Sequence, residues 1–532
     1  MSESGHEPKE AGAVEPDRDW VRSTLDRMID FGTSRIRFLR HWKMRRETLE
    51  FYKDGRDSDD EENRKSTPPD DVKVETLSIW AVELFASSQL DALLNAIERQ
   101  GWAKVRRNFR DETPAEWLRK RRYSFGGGSS MPLGSIVPVG HRGFPGFYAI
   151  EGVIPAFARI VSVEVYCATS SLTCVAVRFD LKDEEIGRHE AVSRTTFQTS
   201  IKPRKNGSMV VFDPWDHKAN EIRTNRDRWR SEAITWMRQH YPGIFANSDE
   251  GLFLPTFELL TLSNAVPFDR SKGRGYLDLF GLEVPGASFW VTPDDDLYLA
   301  GLVRHSGEDE HHSLIVVQKE KFDSGNAMKP WGGSSRSGYI SRVSSQLRYS
   351  WVLPALSVGP LLRLYGKRLA IVRDQLSYRS TKSSLAKQMH QLAALVADNF
   401  DMVTICEELS SKHRPRFWWK SMFIYADKKD NEWKGKELSV ALEENAKWRV
   451  GVILKTEAMI RDLLLQYGNL TSARRNALMQ RSVYLLTIVL VFLSLLMIDW
   501  KRVSETYSVQ VEPVLARMLE FCTTLVTGWA SF

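Results

Sequence analysis

Glu164, Asp180 and Lys182 are the residues whose types come nearest to a hydrolytic set. Two carboxylates can hold a metal ion, with a lysine beside the attacking water. Spacing counts against them. A hairpin centred at Ser170-Ser171 pairs Glu164 with a residue near Val177. Asp180 then falls roughly 10 Å further along the strand, too far to share one ion. Pro293-Asp294-Asp295-Asp296 reads as turn chemistry, because successive strand residues point to opposite faces. The glycines of SFGGGSSM (124–131) lack the Gly-Lys-Ser/Thr ending that would hold a triphosphate and magnesium, and read as a flexible connection. His311 and His312, in EDEHHS, read as a solvated loop, and neither a Ser/His/Asp set nor HExxH is found. The cysteines Cys167, Cys174, Cys406 and Cys522 make no CxxC pair and read as buried thiols, with Cys167 and Cys174 flanking the hairpin. No catalytic, cofactor or metal-ligating residue is therefore assigned, and enzymatic activity is not expected.

The strongest signal lies near the C-terminus, in RSVYLLTIVLVFLSLLMIDWKR (481–502). Val483, Leu486, Leu490, Leu493, Met497 and Ile498 belong to a run without charge from Ser482 to Ile498. A soluble amphipathic helix carries one polar stripe; this run is apolar on all sides. The stretch 482–500 covers roughly 27 Å as a helix, close to the thickness of a bilayer core. Arg481 before it, and Trp500, Lys501 and Arg502 after it, are residues that settle at membrane interfaces. The expectation is a single pass through the cell membrane, the lipid bilayer as partner, and a cytoplasmic N-terminal body, favoured by Arg474, Arg475 and Arg481. Beyond the span, 501–532 forms an amphipathic tail helix with an apolar stripe at Leu515, Met518, Cys522, Leu525, Trp529 and Phe532, lying in the interface plane or forming a second span.

The rest of the chain must fold before this anchor. Its 532 residues, 42% hydrophobic and 27% charged with a net charge of +6, have ordinary globular composition. The fold class expected is α+β: N-terminal helices, a mixed and mainly antiparallel domain, then long helices. Residues 1–16 are polar, lack the apolar core of a secretory signal and read as disordered. Residues 17–134 read as helical and basic, with an acidic linker at 53–71 and a helix over 72–100 carried by Leu77, Trp80, Ala81 and Leu84. The cluster from Arg35 to Arg46, interleaved with aromatic residues, reads first as a solvated helix face and only second as a nucleic-acid or membrane contact. Residues 135–338 alternate strand-like runs with a helix over 221–241, and 339–481 return to helix. A long helix over about 437–481 carries Val450, Ile453, Ile460, Leu464 and Tyr467 at 3/4 spacing, a seam on which copies of the chain assemble.

A mixed domain followed by paired helices and a long helix running into a span resembles the CorA-type magnesium channels. Asn476, Met479, Leu485, Thr487 and Ile488 are similar to that family's entry to its first membrane helix. The resemblance implies an oligomer with the long helix at its axis. It does not carry magnesium transport, because MIDWKRVSETY stands where the family's Gly-Met-Asn filter belongs. Function therefore reads as membrane-anchored binding or oligomeric assembly, with a divergent ion channel as one alternative and an enzyme acting on nucleic acid or phosphate esters as another.

Overall fold

The computed structural model describes residues 56–102, 112–122, 128–140, 148–203, 209–248, 254–268, 275–282, 289–294, 296–301, 312–324, 334–378, 400–411, 418, 422–426, 435–497, 502, 505–506 and 511–530. The expectations for 1–16 and for the Arg35–Arg46 cluster lie outside these residues. The chain divides into two compact units, one of residues 1–370 and 398–455, the other of 371–397 and 456–532.

The first unit is mixed α+β. Its strands are β1 (Lys73–Ala86), β2 (Ser129–Val137), β3 (Ala149–Glu151), β4 (Ala158–Cys167), β5 (Leu172–Leu181), β6 (Ser200–Pro203), β7 (Met209–Phe212), β8 (Thr256–Ser263), β9 (Phe289–Val291), β10 (Leu297–Gly301), β11 (His312–Gln318) and β12 (Ile424–Tyr425). Ten of them form one sheet in the order β12-β9-β10-β11-β8-β1-β5-β4-β2-β3, and β6 and β7 form a separate hairpin. Pairing is antiparallel except between β8 and β11 and between β2 and β3. The expectation of a mixed, mainly antiparallel domain holds.

The helix expected over 72–100 is mostly a strand. β1 occupies 73–86 at the middle of the sheet, and helix begins only at Leu90. After Lys73 every residue of β1 is buried. A strand covered on both faces has no polar face, so its apolar residues need not alternate. Leu77, Trp80, Ala81 and Leu84 therefore matched helical spacing by chance. The acidic linker expected at 53–71 is likewise partly helical, because Arg56–Ser66 forms α1. Its Asn63 amide nitrogen donates to the Phe197 carbonyl at 2.7 Å and its Asp59 carboxylate accepts from the Thr199 amide at 2.9 Å.

The remaining helices are α2 (Leu90–Arg99), α3 (Pro114–Arg122), α4 (Asp183–Arg194), α5 (Pro214–His240), α6 (Gly275–Asp278), α7 (Lys319–Ser324), α8 (Arg336–Ser350), α9 (Val352–Tyr378), α10 (Phe400–Ser410), α11 (Leu438–Leu496) and α12 (Val511–Ala530). Strand alternation sorts the sheet into two faces. On one, Val74, Leu260, Leu262, Leu314 and Val316 pack with Ile222 of α5 and with Leu277 and Phe280. On the other, charged groups bind α8. Arg336 and Lys319 both reach Glu75 of β1 at 2.6 Å, Arg348 pairs with Glu164 of β4, and Arg178 of β5 donates to the Ser344 hydroxyl. The sheet is thus a middle layer between α5 and α8. At the end of β1 the Glu83 carboxylate accepts the amide protons of Leu84, Phe245 and Ala246 at 2.8–2.9 Å. Burial nevertheless raises its pKa to about 8. Gly243 fits here because a Cβ would lie 2.4 Å from the Leu84 carbonyl oxygen.

α11 is a single helix of 59 residues that begins in the first unit and ends in the second. The separate span expected over 482–500 is not an element of its own: residues up to Leu496 are the end of α11, and 498–500 lie outside the described residues. Among the described residues, no helix is long and apolar enough to cross a membrane.

Candidate functional site: a buried carboxylate beneath an arginine-lined cleft

α5 begins where Asp213 accepts the Asp216 amide at 2.7 Å, with Pro214 at the first helical position. Its apolar residues Ile222, Trp229 and Ala233 are buried. Arg223, Arg226 and Arg230, at i, i+3 and i+7, share a neighbouring side of the helix. They line a cleft with Trp215, Ala219, Ile222, Asp278, Leu279, Gly281 and His312.

Glu258 of β8 lies under this cleft and is 0% exposed. The Arg226 Nε donates to its Oε2, and the Arg226 Nη1 donates to the Phe280 carbonyl at 3.3 Å. The His312 Nε2 is 3.2 Å from Glu258 Oε1, and its Nδ1 is 3.1 Å from the Thr256 hydroxyl. Burial opposes the Glu258 charge, but Arg226, then His312 and Arg230, outweigh it and hold its pKa well below the usual carboxylate range. Burial lowers the His312 pKa in spite of Glu258, so the ring is neutral at pH 7.

Beside this cluster, His189 of α4 is buried between Trp229 and Phe280, with ring centroids 4.9 and 5.6 Å away. Neither ring nitrogen has a hydrogen-bond partner among the described residues. Burial, and then the Arg226 charge, depress its pKa to about 3, against smaller pulls from Glu258 and Glu185. A depressed pKa means that the unfolded chain binds the proton first as the pH falls. The stability from a neutral His189 is complete above the unfolded value near 6.5 and is lost as pH falls toward 3. The slope is about 1.4 kcal/mol per pH unit for one such group. His189→Phe keeps the ring packing and removes the titration. Thermal unfolding between pH 7 and pH 4 is expected to fall less steeply in that variant, and a slope equal to the wild type would disprove the assignment.

The hydrolytic trio is not brought together. Glu164 is opposite Ala176 and Asp180 is opposite Ile160 in the β4–β5 ladder, so the two carboxylates stand four residues apart along the strands. Glu164 is bound by Arg348 and the Tyr166 hydroxyl, and Asp180 by Arg178 at 2.7 Å. Lys182 is the residue before α4. Among the described residues no group of three or more His, Cys, Asp or Glu could hold a metal ion. Cys167 is opposite Thr173 and Cys174 opposite Tyr166, so the two thiols are not cross-strand partners. Both are free and buried, as is Cys406, and burial pushes Cys167 and Cys406 up to about 12. Asp294 lies in a turn, and the buried Asp296 accepts from the Thr292 hydroxyl at 2.6 Å.

His312 is a correction: the expected solvated loop residue is the first residue of β11, buried against Glu258. The signal that could have found the cluster was Glu258 itself, the single charge in TFELLTLS. A charge inside such a strand must have partners.

The seam expected for assembly is also altered. Val450, Ile453 and Ile460 are buried within the single chain, so they present no surface to a second copy. The side chains of Leu464 and Tyr467 lie outside the described residues. On the same helix, Trp448, Val452 and Met459 are exposed instead.

In the second unit, the end of α11 is apolar and uncovered. Val483, Tyr484, Leu485 and Leu486 follow one another and are 63%, 64%, 49% and 63% exposed; Val489, Leu490, Val491 and Leu493 are exposed too, as is Met497 at 87%. Arg481 and Arg502 are exposed; Ile498, Trp500 and Lys501 lie outside the described residues. In α12, Val514, Leu519 and Phe521 are exposed, so apolar surface there extends beyond the stripe expected from 515 to 532. No protein-family model matches this chain, and no curated protein matches it.

Proposed function

We propose that this protein is membrane-anchored and acts by binding, through the α+β body, at a lipid surface. The observation that supports this most is the run of consecutive exposed apolar residues, Val483 to Leu486. Successive helix residues are about 100° apart, so four in a row face every direction. A partner helix would cover one side; a solvent of acyl chains covers all of them. Each such side chain gains about 1.5–3 kcal/mol on leaving water, so the group together strongly favours insertion. The apolar run continues into Ile498, and Arg474, Arg475 and Arg481 before it favour a body on the cytoplasmic side of the cell membrane. The buried Glu258 cluster favours binding over catalysis: its carboxylate is already neutralised and lies out of reach of solvent.

Fractionation of the full chain tests the anchor. The protein is expected in the membrane pellet after a carbonate wash and in solution only with detergent. Recovery in the supernatant without detergent, as a particle of any size, would refute anchoring.

A further inference from the structure

The cleft over Glu258 has a volume of about 70 Å³. One water needs roughly 10–15 Å³ on that measure, so about five non-hydrogen atoms fit, the number in a phosphate group. Its lining is divided by chemistry. Trp215, Ala219, Ile222 and Leu279 make an apolar wall, while Arg223, Arg226, Arg230 and His312 bring donors. Asp278 also lines it, and Glu258 lies beneath. Arg226 is committed to Glu258, and Arg230 is bound to Asp227, which is more than half exposed and not part of the lining. Arg223 differs from both: it is exposed, lines the cleft and has no ion-pair or hydrogen-bond partner among the described residues. Arg226 is neutralised by Glu258 and Arg230 by Asp227, so Arg223 is the guanidinium of the lining not taken up by a carboxylate among the described residues.

We propose that this cleft binds a small phosphate-bearing anion, with Arg223 as its primary cation and the Trp215–Ile222–Leu279 wall beside whatever the phosphate carries. A guanidinium offers paired N–H donors that match phosphate oxygens, and charge-assisted bonds of this kind are roughly twice as strong as neutral ones. Anchoring in lipid is not required for this binding, so the two proposals can fail separately.

The test uses the full chain in detergent, in a phosphate-free buffer of fixed chloride. Inorganic phosphate and phenyl phosphate are titrated by calorimetry into the wild type and into Arg223→Gln. Saturable binding is expected, weakened roughly tenfold in the variant. Because Arg223 is exposed and has no partner among the described residues, unchanged thermal unfolding is expected for that variant. Tighter binding of phenyl phosphate assigns an ester as the ligand, and equal affinity assigns the free ion; both uphold the site. Absence of saturable binding to the wild type overturns the proposal, as does equal affinity in Arg223→Gln.

Discussion

Glu258→Gln is expected to destabilise the body by about 3–5 kcal/mol, the usual result of removing one partner from a buried charge network. The substitution preserves size and removes only the negative charge. It leaves the Arg226 guanidinium, whose side chain is only 12% exposed, without the carboxylate that accepts from its Nε. Arg230 and His312 lose the same charge, although His312, being neutral, loses less. A drop in Tm of about 3–6 °C follows for a unit of this size. A double substitution separates the network from packing. Glu258→Gln with Arg226→Met removes both charges, and should recover most of the loss, because well-packed apolar replacements of buried pairs are close to neutral. Equal Tm values for Glu258→Gln and the wild type would show that the cluster does not hold β8, β11 and α5 together. The pH response gives a second check. Glu258 is held below the ordinary carboxylate value, so its contribution is complete above the unfolded pKa and is lost as pH falls below it. The acid sensitivity that remains in His189→Phe should therefore be reduced again in Glu258→Gln.

Strands flanking the middle of the sheet were legible in the sequence, and the middle pair was not. β4, β5 and β11 carry runs of β-branched residues between turn residues, and they were legible for that reason. β1 and β8 lie side by side in the middle, covered on both faces, and there burial removes the alternation by which strands are recognised. The helix α5 was readable from Glu221 onward, but its true start at Pro214 depended on an Asp213 cap in FDPWDHKAN, where no apolar periodicity guides the eye. The cleft was illegible for a different reason. Arg223, Arg226 and Arg230 look like any solvated helix face, and only the pairing of β8 with β11 brings Glu258 and His312 beneath them. Residues from 226 to 312 converge through sheet register, which no local pattern encodes. The seam on α11 shows the opposite failure. Its spacing was read correctly, but spacing says that a face is buried, not what buries it: Val450 and Ile453 are covered by their own chain.

Leu486→Asp with Leu490→Asp is expected to abolish membrane association, the largest effect on location that two substitutions can have here. The two positions are i and i+4, on one side of α11, and both are more than half exposed. An aspartate near the middle of a bilayer costs about 2.5–3.5 kcal/mol, and each lost leucine adds about 0.5 kcal/mol. Together they oppose insertion by roughly 6–8 kcal/mol, enough to shift the partition by several powers of ten. In water the same charges are solvated at positions more than half exposed, so the first unit should keep its fold and its cleft. Flotation of the full chain with phospholipid vesicles reads the result: wild type at the top of the gradient, the double variant at the bottom. Thr487→Val, between the two sites, adds apolar surface and should float as the wild type does. If the double variant still floats, lipid does not cover these residues. If the wild type sediments as a soluble assembly that the aspartates break apart, the surface belongs to a second copy of the chain, and the anchor is wrong. The circumferential exposure from Val483 to Leu486 argues for the first pattern, because a helix dimer leaves half of those side chains in water.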